Sequence, residues 1–276
     1  MKTIVVPTNF SAISLNAVNY AADLACVAGA NLMLMHVCMI PVAVNEFALP
    51  AYYIDDLVTD AEERVEMIKD DLILRTGSRL KVYSKVLEGD VVTVIQQQCQ
   101  DIDPYAVVMG TEGGSSVERF LWGAKTLSAI QHLSWPVIAV PPGITFSGWN
   151  KVGFASDLED VSHSLPITLL KNIVRDFKAA LHVMYVRADD NNSFKEEEKE
   201  STGLLYSTLK DLHPQYHYMR HDNVEDRICA FAEKNHLDLL IIVPKNHDLL
   251  SRIFRHSHAK RVVLQTPVPV MAVHEK

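Results

Sequence analysis

Apolar positions along this chain come in short, nearly unbroken runs rather than in strict alternation. The runs at 3–7, 31–37, 80–86, 105–109 and 137–140 are rich in Val, Ile, Leu and Met. That pattern predicts strands covered by helices on both faces. Between the runs the period changes. After Ser11, residues Leu15, Val18, Ala22 and Ala25 share one helical face, with Ser11 placed to cap the start and Gly29 to end it. Residues 58–76 (VTDAEERVEMIKDDLILRT) read as a second helix, with Asp60 and Glu63 favouring its N-terminal end. Strand and helix in alternation predict βαβ units around a parallel sheet.

The same pattern is then written again. KTIVVPTNFS has a counterpart in NKVGFASDLED at 150–160, and each leads into a helix-period stretch. NLMLMHV matches ALHVMYV, YAVVMG matches LDLLIIV, and SWPVIAVPP matches TPVPVMAVH. A shift of 133 places Arg119 on Arg252, Ile95 on Ile228 and Pro136 on Pro269, whereas the starts align with a shift of 148. The second copy therefore lacks about fifteen residues in its middle, as expected of a diverged tandem repeat. PPGITFSGWN, near 142–150, has the Pro and Gly content of a linker. The predicted domains are 1–145 and 146–276. The charged run 190–202 (DNNSFKEEEKEST) reads as a solvated loop or helix entrance.

Composition narrows the function classes. At 276 residues, 48% hydrophobic and 22% charged, the chain suits two soluble globular domains. The formal charge of −8 gives no basic excess to displace counterions from phosphates, so nucleic acid is not an expected partner. No run reaches the roughly 20 apolar residues of a membrane span, and no membrane partner is expected. Cys26, Cys38, Cys99 and Cys229 show no CxxC or metal spacing, and read as small core residues in a reducing compartment. The expected location is the cytoplasm, and no metal site is expected.

The candidate chemistry lies where strands end. In an open parallel sheet of order 3-2-1-4-5, ligands sit beyond the carboxyl ends of strands 1 and 4, where the order reverses. Strand 1 ends at Val6-Pro7-Thr8-Asn9 and strand 4 at Met109-Gly110, followed by TEGGSSVERFLWGAKT. Gly110, Gly113 and Gly123 let a ligand approach bare backbone, and a helix start downstream offers free amides to an anion. A Walker A loop is excluded, because Gly123-Ala124-Lys125-Thr126 has an extra residue before the lysine. Strands 136–140 and 269–273 lie last in each copy and would be sheet edges, so mutual cover in an intramolecular pseudo-dimer is expected. The reading also allows a further homodimer.

The spacing G-2x-G-9x-G, an apolar strand before it, a PV-[LI]-x-V strand after it, and the opening V-P-T-x-F-S with L-x-H-V resemble the universal stress protein family. The resemblance covers both halves. It implies two tandem Rossmann-like (adenine nucleotide alpha hydrolase-like) α/β domains, each with a five-stranded parallel sheet and helices on both faces. It also implies adenine-nucleotide binding, in a family that divides into ATP binders and non-binders; the ligand expected in the first domain is ATP, or AMP or ADP, with or without Mg²⁺. Carried over by position, Pro7 and Thr8 match the loop beside the adenosine, and Asn9 stands where the family usually has Asp. Val37 matches the contact to the base. Met109, Gly110, Gly113 and Gly123 match the ribose and phosphate loop. Ala124 replaces a Ser or Thr, Thr126 keeps the next hydroxyl, and Lys125 adds a positive charge there, either toward phosphate or as a solvated surface lysine. Glu112 and Glu118 would repel a polyphosphate if turned inward.

The second copy departs from this pattern. IIVPKNHDLLSRIFRHSHAKR has no glycine, Pro244 removes an amide donor, and His256 occupies the third-glycine position, although Asp157 and Ser257 keep the family's acid and hydroxyl. No nucleotide is expected there. Ten of the twelve histidines lie in this copy, and the basic stretch 247–261 reads as a solvated surface with a weak anion contact through Arg252 and Arg255 as the alternative. No catalytic residue set is visible, and His36 reads as a core or rim histidine. Three functions follow: a nucleotide-responsive stress regulator acting on an unknown protein partner, a nucleotide-free interaction module, or a weak ATPase.

Overall fold

The computed structural model describes residues 2–39, 51–111, 117–155, 167–187, 196–220, 223–244, 262–263 and 266–274. The chain folds as two compact units, the first ending at Phe146 and the second beginning at Ser147.

In the first unit the strands are β1 (Thr3–Thr8), β2 (Asn31–Cys38), β3 (Val82–Glu88), β4 (Ala106–Gly110) and β5 (Val137–Val140). They form a parallel sheet of order β3-β2-β1-β4-β5, as expected. The helices are α1 (Ala12–Ala28), α2 (Ala51–Arg75), α3 (Val91–Ile102) and α4 (Val117–His132). Right-handed crossovers put α1 and α2 on one face and α3 and α4 on the other. The contacts agree: α1 lies on β1 and β4, α2 on β2 and β3, α3 against α4 and β1, and α4 on β4 and β5. Cover on both faces explains why Ile4, Val5, Val6, Val107 and Val108 are all fully buried, and why these strands show no polar alternation.

Capping follows the sequence. The Ser11 hydroxyl accepts from the Ser14 amide at the start of α1, and Gly29 closes the helix in the left-handed region at φ 62°. Helix α2 begins seven residues before the expected start. The segment 51–57 (AYYIDDL) contains no Gly or Pro to stop a helix, and the acidic pair that suggested a start lies more than two turns inside.

The second unit repeats the plan with β6 (Lys151–Ala155), β7 (Ala180–Arg187), β8 (Gln215–Arg220), β9 (Leu239–Ile242) and β10 (Val270–Ala272). Their parallel order is β8-β7-β6-β9-β10, again 3-2-1-4-5 within the copy. Its helices are α5 (Ile167–Phe177), α6 (Glu196–Leu209) and α7 (Val224–Lys234). The acidic run enters α6, consistent with glutamates at a helix N-terminus. The stretch read as a linker is packed at its end: Trp149 is 1% exposed and its ring lies 4.4 Å from that of Phe177.

The cysteines are less uniform than expected. Cys99 is buried, while Cys26, Cys38 and Cys229 are half-buried. Burial raises all four thiols, Cys99 to about 12 and Cys229 to about 11, so none is poised as a thiolate.

A histidine pair in the second unit carries a pH prediction. His182 Nδ1 and His217 Nε2 are 3.0 Å apart, one donating to the other, and the His217 ring centroid lies 4.6 Å from Phe231. Burial lowers both from the usual 6.5, and the charges of His217 and Lys151 lower His182 further. Between the folded and unfolded pKa values the unfolded chain binds more protons, so stability falls as pH drops through that window. Urea midpoints should therefore fall from about pH 7.5 to about pH 5.5. His217→Gln should make that fall shallower, and an unchanged slope would reject this account.

Candidate functional site

Strands β1 and β4 are neighbours in register Ile4↔Ala106 and Val5↔Val107. Extending that register sets Pro7 and Thr8 level with Met109 and Gly110. The chain leaves β1 toward α1 on one face and leaves β4 toward α4 on the other. A switch point of this kind opens a crevice beyond the strand ends.

The β1 side of the rim is held by a dense local web. Thr8 is buried, its hydroxyl lies 3.0 Å from Ser14 Oγ, and it accepts from the Phe10 amide at 3.0 Å. Asn9 Oδ1 accepts from the Ser11 amide at 3.1 Å and from the Ser11 hydroxyl at 2.7 Å. The neutral amide that replaces the family's carboxylate thus serves the turn itself. Phe10 sits at φ 66°, a region aromatic residues rarely adopt. Its ring stacks on His36 at 4.4 Å, and the Arg64 guanidinium lies 4.0 Å over it. His36 donates from Nδ1 to the Thr8 carbonyl at 2.8 Å. Burial lowers its pKa, the Thr8 bond opposes that, and Arg64 adds to it. His36 is a rim residue that fixes the end of β1.

The β4 side is tighter than a ligand cradle needs to be. A Cβ on Gly110 would meet Ile13 Cγ2 at 2.7 Å and the Ile13 carbonyl oxygen at 2.9 Å. Gly110 is therefore required by the approach of α1, before any ligand is considered. The Thr126 hydroxyl, fully buried, donates to the Gly110 carbonyl at 2.8 Å. The hydroxyl expected to face phosphate ties α4 to the strand instead. Lys125 Nζ lies 2.6 Å from Asp90 Oδ2. Ala124 is exposed, whereas Pro7, Val37 and Met109 are buried.

Gly123 lies inside α4, which begins at Val117. Amides at 123–126 are past the first turn, so the donors left free by helix geometry belong to 117–120. Gly113, Glu112, Ser115 and Ser116 lie outside the described residues, as do Asp157, His256, Ser257 and the basic stretch 247–261.

In the second copy Val243 and Pro244 stand where the first has Gly110 and Thr111, and Pro244 is buried. Among the described residues no three His, Cys, Asp or Glu side chains converge as a metal site, and no helix is long and apolar enough to cross a membrane.

Asp90, Ser14, Phe10 and Arg64 were not singled out from sequence. Asp90 was legible in principle, since Gly-Asp before an apolar run is a helix-start signal. It caps α3, accepting from the Val92 and Thr93 amides at 3.2 Å each. The Lys125 hydrogen bond, then the Thr93 amide, bring its carboxyl down to about 2.

The fold defines a protein of two tandem Rossmann-like domains, each with the strand order reversing at its first strand. The family model described as the universal stress protein family matches residues 1–141 and again 148–274. The chain belongs to the universal stress protein family, with one member domain in each half. A universal stress protein from Methanocaldococcus jannaschii is 30% identical over 142 residues, covering 50% of this chain and 81% of that one. A universal stress protein structure from Archaeoglobus fulgidus aligns with 99% of this chain and 96% of its own, at 17% identity and TM-score 0.76. A functionally unknown Pseudomonas aeruginosa protein aligns with 100% of this chain and 93% of its own, at 13% identity and TM-score 0.60. At these identities the two structures speak for the fold alone.

Proposed function

We propose that the first unit binds an adenine nucleotide (ATP, ADP or AMP, with or without Mg²⁺) in the crevice above β1 and β4. In this reading the bound state alters the surface offered to a protein partner in the stress response. The observation that carries it is the switch point itself. β1 and β4 end side by side while their crossovers leave to opposite faces. The glycines that suit a phosphate occur beyond β4 and are absent from the matching stretch of the second copy.

The test is thermal. ATP with Mg²⁺ at 100 times its dissociation constant should add about 2.7 kcal/mol to stability, raising the melting temperature. Gly113→Val should abolish the rise, since its side chain would occupy the loop a phosphate must approach. No shift at millimolar ATP would leave the interaction module as the better reading. That second reading has its own support: the Thr126 hydroxyl and the Lys125 amine are already engaged by protein groups, and Ala124 has no hydroxyl to offer.

A further inference from the structure

Lys125 lies in α4 and Asp90 at the N-cap of α3, helices that pack against each other on one face of the sheet. Thr126, the neighbour of Lys125, anchors α4 to the last carbonyl of β4. Gly89, the neighbour of Asp90, donates its amide to the Cys38 carbonyl at the end of β2 at 3.1 Å. In the sheet, β1 lies between β2 and β4. The 2.6 Å contact between Lys125 and Asp90 therefore links the helix tied to the end of β4 with the turn tied to the end of β2.

We propose that this ion pair is a latch on the crevice, which an entering phosphate opens by taking Lys125 from Asp90. This role presupposes the nucleotide site proposed above and adds its regulation. The two partners are built differently. Asp90 is fixed: it caps α3 through Val92 and Thr93, and the Thr93 hydroxyl adds a third bond at 3.2 Å. Those donors hold the carboxylate in place and ionised whether or not Lys125 stays. Lys125 is a single ammonium on a flexible four-carbon stem. The side chains are 30% and 52% exposed, so the pair is solvent-screened and weakly held, as exchange requires. A phosphate carries more charge than one carboxylate, and Lys125 follows Ala124, the position where a hydroxyl has been lost. The ammonium replaces that contact at the cost of leaving Asp90, so Asp90 sets the anion affinity of the site.

Isothermal titration of the full chain with Mg·ATP tests this. Asp90→Asn keeps an equally good helix cap but cannot hold an ammonium. It should bind about fivefold tighter than wild type, and Lys125→Met about fivefold weaker. In the Lys125→Met background, Asp90→Asn should give no gain. Lys125→Met lies on a half-exposed helix position, so the test survives if the Asp90 variant folds poorly. A gain from Asp90→Asn that persists without Lys125 overturns the latch, as does weaker binding by a folded Asp90→Asn. Equal binding by all four proteins overturns the latch alone and leaves the nucleotide site standing. No heat from Mg·ATP in any of them, Asp90→Asn included, overturns both.

Discussion

Gly110→Val is expected to destabilise the ligand-free protein by about 3 kcal/mol or more. The first added carbon would sit 2.7 Å from Ile13 Cγ2 and 2.9 Å from the Ile13 carbonyl oxygen. A side chain can rotate away, but the carbonyl belongs to the first turn of α1 and moves only with the helix. Retreat on the opposite side is resisted too, because the Gly110 carbonyl is held by the Thr126 hydroxyl. Urea unfolding without nucleotide is the measurement, and a loss below about 1 kcal/mol would show that α1 can step back. Gly203→Ala is the matched control. Gly203 lies in α6 with open space around it, so alanine there should stabilise by about 0.5–1 kcal/mol. The contrast would separate a glycine needed for packing from one that merely sits in a helix.

The second large effect is expected at Trp149. This residue lies in a stretch whose composition reads as a connector, yet it is 1% exposed and packed on Phe177 at the end of α5. Truncating a buried tryptophan leaves a cavity that neighbouring side chains fill only partly. Trp149→Ala should cost about 3–5 kcal/mol. A melting curve unchanged within a degree would mean that the segment is a tether rather than part of the second core. Phe146, three residues earlier, makes an edge-on contact with Tyr20 of α1 at 5.3 Å. Phe146 is thus anchored in the first unit and Trp149 in the second, and Gly148 between them takes φ 109°, which glycine tolerates.

These two residues also show what the sequence could and could not convey. The strand runs and the duplication were legible because burial on both faces writes itself as unbroken Val, Ile and Leu; the strand order does not follow from that pattern and came with the doubly wound fold class. Trp149 was not, because its neighbours Ser147, Gly148 and Asn150 are those of a loop, and one aromatic within them says nothing of what it packs on. Sequence placed the ends of β1 and β4 where the structure has them but not the allegiance of each side chain there. Thr126 matches a family hydroxyl by position and yet faces the Gly110 carbonyl. Gly110 matches a family glycine and yet is demanded by Ile13. Asn9 departs from the family residue but still accepts two hydrogen bonds within its own turn. A motif records residue type; which neighbour claims the functional atom is decided by tertiary approach. The start of α2 was misplaced for a related reason, since acidic residues favour a helix entrance without forbidding an earlier one.

The turn after β1 has a kinetic consequence. Asn9, Phe10, Ser11 and Ser14 are locked to one another and to Thr8 before anything enters. A molecule docking against this lip meets a surface whose disorder was already surrendered when the chain folded, so little further ordering opposes association there. Amide protons of Asn9, Phe10, Ser11 and Ser14, each donated within this web, should accordingly exchange slowly in the empty protein and change little on saturation, placing any movement that accompanies occupancy elsewhere in the domain.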